Sequence, residues 1–140
     1  MGKDWIIRGT GGQPVSSCRM VYVGNSGTTL RIQTALCALA DHPVKFDGDK
    51  SIRTRPMTPL LSALERLGVR IAKSADGRCP FVLQGPIRSG KTTVNGISSQ
   101  FLTALLIACP LAKGDTEIIV ENLHEKPYVC LLYTSPSPRD

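Results

Sequence analysis

The sequence predicts an α/β fold in which helices cover one or both faces of a sheet. Strand-like and helix-like patterns alternate along the 140 residues, and glycine-rich turns separate them. Hydrophobic residues make up 41% of the chain and charged residues 20%, which is enough apolar material for a packed core. No apolar run reaches the ~18 residues of a membrane span, and Met1–Thr10 lacks the apolar stretch of a signal peptide. A soluble, cytoplasmic protein is therefore expected.

The first half of the chain predicts two strands, a glycine turn and a helix, followed by a third strand and a second helix. Alternating or continuous apolar residues indicate the strands, and apolar residues at helical spacing indicate the helices. The predicted elements are the strands Trp5–Arg8, Met20–Val23 and Val44–Asp47, and the helices Thr28–Ala40 and Met57–Leu67, the second of which ends at Gly68.

The second half of the chain continues the alternation, with no convincing internal sequence repeat. Strands are predicted at Val69–Ala72 and Phe81–Gln84 around a turn at Asp76 and Gly77, and at Thr92–Val94 and Thr116–Val120. Between the last two strands, Phe101–Cys109 is apolar on every side. That pattern predicts a fully buried helix.

Charge and cysteine content exclude some classes of partner. The net charge of +6 comes from scattered residues, and three Phe, three Tyr and one Trp offer few platforms for stacking on bases. Small polyanionic ligands explain this charge as well as nucleic acid does, and because stacking platforms are few we expect no nucleic-acid partner. The five cysteines form no Cys-x-x-Cys pair, so neither a zinc site nor a disulfide framework is predicted.

One short motif matches a phosphate-binding loop. Gly85, Gly90, Lys91 and Thr92 satisfy the Gly-x-x-x-x-Gly-Lys-Ser/Thr rule. In a nucleotide-binding loop the Lys and Thr begin a helix, whereas the β-branched residues after Lys91 and the Asn95-Gly96 pair oppose one. We interpret the segment as a basic hairpin.

The last eleven residues, Cys130–Asp140, read CLLYTSPSPRD. This peptide can be encoded by a DNA sequence that looks like one reading frame of the transposon-end adapter used in sequencing libraries. We therefore expect a partial domain at residues 1–129 and a disordered, non-native tail at 130–140.

Three predicted helix starts carry groups that bind anions. The first follows Gly24-Asn25-Ser26-Gly27-Thr28-Thr29-Leu30-Arg31, the second follows Arg53 and Arg55, and the third begins at Ser98-Ser99-Gln100. Each alone is equally an ordinary capped helix start or a solvated charge. If the three converge, they form a pocket for a ligand with several negative charges.

These same segments resemble the 5-enolpyruvylshikimate-3-phosphate synthase family. GNSGTTLR (24–31), RTRPMTPLLSALERLG (53–68), NGISSQFLTALLIACPLA (95–112) and KPYV (126–129) are similar to four of its motifs, in the family's order. The sister family that uses UDP-N-acetylglucosamine is a poorer match at the glycine turn and at Ser98-Ser99-Gln100. The competing classes are a nucleotide-binding protein and a basic binding module without catalysis.

The resemblance implies transfer of the enolpyruvyl group of phosphoenolpyruvate to the 5-hydroxyl of shikimate 3-phosphate, in aromatic amino acid biosynthesis, with no metal or cofactor. It implies a phosphoenolpyruvate site at Gly27, Arg55 and Gln100, and a shikimate 3-phosphate site that shares Gln100. The other residues implied are Ser98 and Ser99 at the phosphate of shikimate 3-phosphate, Tyr128 on its shikimate side, and Asn25, Thr28 and Arg31 as structural residues of the glycine turn.

The resemblance also implies a monomeric two-domain enzyme built from βαβαββ units, of which this chain is part of the N-terminal domain. The proton-transfer groups are expected in the absent domain, so this chain alone is expected to be inactive. One residue departs from the family pattern: Glu125 stands where a phosphate-binding serine is usual. A carboxylate repels a phosphate, so the role of this position stays open.

Overall fold

A computed structural model describes residues 2–12 and 19–123 of the chain. They form six strands, three α-helices and two short 3-10 turns. The strands are β1 Met20–Tyr22, β2 Val44–Asp47, β3 Arg70–Ala72, β4 Phe81–Gln84, β5 Arg88–Asn95 and β6 Lys113–Glu121. The helices are α1 Gly27–Cys37, α2 Thr58–Arg66 and α3 Ser99–Ala108, and the 3-10 turns are Ile52–Thr54 and Cys109–Leu111.

The first four strands form one sheet in the order β1-β2-β4-β3. Strands β1 and β2 are parallel and joined through α1, whereas β4 is antiparallel to both β2 and β3. This part of the chain therefore runs β1-α1-β2-α2-β3-β4, which is one βαβαββ unit. The α/β prediction is confirmed.

Strands β5 and β6 form a second, two-stranded sheet and are parallel, with α3 as the connection between them. The prediction of a strand in this region is confirmed, but the basic hairpin is wrong. The next strand along the chain returns only after α3, so β5 pairs with a parallel neighbour rather than with an antiparallel one across a tight turn.

A hydrophobic core lies between the sheets and the helices. Phe46 of β2 is fully buried and stacks on Phe81 of β4, with ring centroids 5.4 Å apart. Helix α2 directs Leu60, Leu61 and Leu64 into this core, as its apolar spacing predicts. Helix α3 buries six of its ten residues and leaves the others half-buried, which agrees with its apolar sequence.

Trp5–Arg8 is not a strand, contrary to the sequence prediction. Trp5 is 91% exposed, and Ile6 and Ile7 are each 87% exposed. A strand needs hydrogen bonds to a neighbour, and none of the described strands pairs with these residues. None of the helices in the described parts of the chain is long and apolar enough to cross a membrane.

The Phe46–Phe81 contact predicts a large cost for Phe46→Ala. Removal of a buried aromatic ring leaves a cavity, so unfolding free energy should fall by about 3–5 kcal/mol. Urea denaturation of the chain, followed by circular dichroism, measures this change. Tyr22→Ala is the control, because Tyr22 lies in the same sheet but is 62% exposed, and it should cost less than about 1 kcal/mol. A similarly small loss for Phe46→Ala would contradict the packing described.

Candidate anion-binding site

The glycine turn before α1 leaves backbone donors free at the start of this helix. Gly24 has a positive φ of +59°, which turns the chain out of β1. Ser26 is the N-cap of α1, and its hydroxyl accepts a 3.2 Å hydrogen bond from the Thr29 amide. The amide N–H groups of Gly27 and Thr28 have no acceptor among the described residues. They are available to an anion, which the helix dipole also favours.

The guanidinium of Arg55 lies directly against Gly27. A Cβ atom at position 27 would be only 2.7 Å from Arg55 Nη1, so the absence of a side chain is what admits this guanidinium. Arg55 is half-buried, and within residues 2–12 and 19–123 its guanidinium has neither a hydrogen-bond acceptor nor an ion-pair partner. A half-buried cation beside free helix donors is suited to a carboxylate or a phosphate.

The turn after β2 places Arg55 at this helix start. The Asp49 amide donates a 2.9 Å hydrogen bond to the Gly24 carbonyl, which ties the two turns together. Gly48 permits this approach, because a Cβ there would be 2.8 Å from the Gly24 carbonyl oxygen. The 3-10 turn then closes with a 3.0 Å bond from the Arg55 amide to the Ile52 carbonyl.

Helix α3 joins the site through Gln100. Its amide Nε2 donates a 3.1 Å hydrogen bond to the hydroxyl of Thr28, and its Oε1 accepts a hydrogen bond from Arg31 Nη1. The Arg31 guanidinium also lies over the ring of Phe101, 4.9 Å from its centroid. These contacts hold the starts of α1 and α3 together and fix which way the Gln100 amide points.

The two serines at the start of α3 have different environments. Ser98 is the N-cap residue, but its side chain makes no capping bond and has no partner in the part of the chain that the structure describes. Ser99 is buried, at 6% exposure. Asn25 is exposed in the glycine turn. Tyr128 and Glu125 lie outside the described residues.

The phosphate-loop motif has no loop geometry. Gly90, Lys91 and Thr92 lie within β5, where Lys91 forms a 3.3 Å ion pair with Glu117 of β6. Thr92 is buried, and its hydroxyl donates to the Ala63 carbonyl at 2.7 Å. With Lys91 paired and Thr92 hydrogen-bonded to helix α2, these residues do not form a nucleotide site.

A groove of about 730 Å³ opens elsewhere, at the opposite ends of α1 and α3. It is lined mainly by residues 39–42, 86–89 and 111–113, so none of the predicted site residues contributes to it. Among the described residues, no three His, Cys, Asp or Glu side chains lie close enough to hold a metal ion.

Sequence reasoning missed the pairing of Arg53. The sequence places Arg53 and Arg55 together before α2, but the structure separates their roles, because Arg53 forms a 2.7 Å ion pair with Asp47. The Arg53 guanidinium holds the pKa of the Asp47 carboxyl below its ordinary range. No periodicity connects residues six positions apart across a turn, so no sequence signal indicated this pair.

Comparison with known proteins places the chain in a family. A family model described as EPSP synthase (3-phosphoshikimate 1-carboxyvinyltransferase) matches residues 1–134. A relative named 3-phosphoshikimate 1-carboxyvinyltransferase from Methanothermobacter thermautotrophicus is 44% identical over 131 residues, which are 91% of this chain and 31% of the relative. One of the same name from Acetivibrio thermocellus is 42% identical over 126 residues, or 89% of this chain and 30% of the relative.

The solved structures give the same result. The EPSP synthase of Acinetobacter baumannii superposes with a TM-score of 0.64 at 25% identity, over 71% of this chain and 23% of that one. The chain thus spans about a third of the length of the curated relatives that it matches. Because the family model covers nearly the whole sequence and the fold agrees, the chain belongs to the EPSP synthase family.

Proposed function

We propose that this chain supplies the phosphoenolpyruvate site, and part of the shikimate 3-phosphate site, of a complete enolpyruvyl transferase. The observation that carries the proposal is the Arg55 guanidinium against Gly27, beside the first amides of α1, all without an acceptor among the described residues. A cation and two backbone donors at one point suit a small polyanion such as phosphoenolpyruvate.

Gln100 supports a site for two ligands that lie close together. Its amide reaches the glycine turn through Thr28 and stands one residue from Ser99 on α3. On this proposal Gly27 and Arg55 hold phosphoenolpyruvate, and Gln100 lies between both ligands. Ser98 and Ser99 hold the phosphate of shikimate 3-phosphate, and Tyr128 approaches its shikimate side. Asn25, Thr28 and Arg31 keep the turn and the Gln100 amide in place.

The proposed reaction joins the two ligands through an ether bond. C3 of phosphoenolpyruvate takes a proton while the 5-hydroxyl oxygen of shikimate 3-phosphate attacks C2 and gives up its own proton. The tetrahedral intermediate then loses a proton from C3 and expels phosphate, which restores the enol double bond. This chain's residues bind and orient the substrates, and the acid and base groups come from the rest of the enzyme.

Four expectations accompany this proposal and stay predictions. They are a cytoplasmic location, a monomeric full-length enzyme, no partnership with nucleic acid, and inactivity of the 140-residue chain alone.

The first test replaces the arginine. In a complete chimeric enzyme, residues 1–129 of this chain replace the matching segment of the Methanothermobacter thermautotrophicus relative, and phosphate release gives KM for each substrate. Arg55→Ala removes a charge-assisted contact worth about 1.5–3 kcal/mol. KM for phosphoenolpyruvate should therefore rise by roughly 10- to 150-fold.

Lys91→Ala is the control for that test, because it removes a cation whose ion pair lies on β5, away from the anion site. It should leave both KM values within about twofold. An unchanged KM for phosphoenolpyruvate in Arg55→Ala would show that the ligand binds elsewhere.

The second test adds one methyl group at position 27. In the chimeric enzyme, Gly27→Ala must displace the Arg55 guanidinium, since its Cβ would lie 2.7 Å from Nη1. We expect KM for phosphoenolpyruvate to rise roughly 10- to 100-fold, because a small misplacement of a binding group is costly. Gly9→Ala is the matched control, because a Cβ there meets nothing within 4 Å. Equal KM values in the two variants would refute the close approach as the basis of binding.

A further inference from the structure

Two arginines lie two positions apart in the turn before α2, and they differ in whether a carboxylate binds their guanidinium. Arg53 is held by the carboxylate of Asp47, whereas Arg55 has no acidic partner among the described residues. Only Arg55 reaches Gly27 at the start of α1. The proposed function uses only Arg55 at the start of α1, and in the structure Arg53 is bound to Asp47 instead.

Asp47 binds Arg53 through a two-bond fork. Arg53 Nε donates to Asp47 Oδ1 at 2.9 Å, and Arg53 Nη2 donates to Oδ2 at 2.7 Å. The Gly48 amide adds a third bond to Oδ1 at 2.8 Å. Asp47 is only 7% exposed, and its carboxylate accepts all three of these bonds from its own turn. A two-nitrogen fork fixes direction as well as charge, which a lysine does not reproduce.

The fork closes the turn that carries Arg55. Asp47 is the last residue of β2, and its carbonyl accepts a 3.0 Å bond from the Val23 amide, next to the glycine turn. Arg53 lies two residues before Arg55, within the 3-10 turn. The fork therefore joins the end of the strand to the residues just before the proposed anion-binding side chain.

The charge balance of the turn depends on both members of the fork. Without Asp47, the Arg53 guanidinium loses the acceptor that fixes its direction, and the turn before Arg55 loses its two-bond tie to the end of β2. Without Arg53, the nearly buried carboxylate of Asp47 is left unpaired and repels an incoming anion. Either change alters the site without touching Arg55 or Gly27.

We propose that Asp47 and Arg53 act as a positioning pair, which fixes the 47–55 turn so that Arg55 alone faces the ligand at the start of α1. The proposal rests on the proposed function. It assigns to Asp47 no contact with substrate, and it predicts an effect on phosphoenolpyruvate rather than on both substrates.

The test uses the chimeric enzyme with Asp47→Asn, Arg53→Gln, Arg53→Lys and the double variant Asp47→Asn/Arg53→Gln. Each single variant should raise KM for phosphoenolpyruvate about tenfold, because Arg55 loses its fixed position, while kcat and KM for shikimate 3-phosphate stay within about twofold. KM for phosphoenolpyruvate in the double variant should be no higher than in the single variant with the larger increase, since the two residues act through one another. Asp76→Asn is the matched control, because Asp76 is exposed and also pairs with an arginine, Arg78.

Three results would overturn the proposal. They are an unchanged KM for phosphoenolpyruvate in the folded Arg53 variants, wild-type behaviour of Arg53→Lys, or an equal rise of both KM values with a lower melting temperature. The Arg53 side chain is 53% accessible, so its variants are expected to fold and can test the proposal even if Asp47→Asn does not fold. Failure of the proposed function can be told apart from failure of the positioning pair, because it appears as an unchanged KM for phosphoenolpyruvate in Arg55→Ala.

A second measurement needs only the 140-residue chain. In NMR spectra, the Arg53 Nε–H should exchange with water more slowly than that of Arg55, because only the former is bonded to a carboxylate. Asp47→Asn should bring the Arg53 rate close to the Arg55 rate. Equal rates in the unaltered chain would contradict the fork.

Discussion

The approach of the Arg55 guanidinium to Gly27 is the constraint on which the candidate site depends. It requires a residue without a side chain at the first position of α1, since any Cβ there would meet Arg55 Nη1 at 2.7 Å. It also requires that the turn after β2 reach the turn after β1, which Gly48 and the bond from the Asp49 amide to the Gly24 carbonyl provide. The parallel pairing of β1 with β2 sets both turns at the same sheet edge.

The start of α3 adds polar side chains next to the start of α1. Helix α3 follows β5 as α1 follows β1, so each helix begins at the carboxyl end of a parallel strand. Gln100 connects the two starts through Thr28 and Arg31, and the Arg31 guanidinium is itself held over Phe101. Gln100 therefore joins the helix start that carries the Arg55 cation to the helix start that carries Ser98 and Ser99.

Local sequence signals predicted the elements well but not their partners. The pattern gave the bounds of β2 correctly, and the apolar face of α2 is buried as its leucine spacing requires. Trp5–Arg8 has a strand-like composition, yet no described strand pairs with it. Composition does not show whether a partner strand lies beside the segment. The apparent hairpin near Lys91 failed for the same reason. The three anion-binding helix starts were predicted from the residues themselves, and their ligand roles from a family resemblance. The Asp47–Arg53 pair depends on side-chain geometry that no short sequence pattern encodes.

The most direct measurement of the central claim is a crystal structure of the chimeric enzyme with phosphoenolpyruvate and shikimate 3-phosphate bound. We expect a phosphate or carboxylate oxygen of phosphoenolpyruvate to accept hydrogen bonds from both the Arg55 guanidinium and the Gly27 amide. We also expect Arg53 to stay on Asp47 in that complex. Phosphoenolpyruvate bound away from the start of α1, with Arg55 paired to a protein carboxylate, would contradict the proposed site.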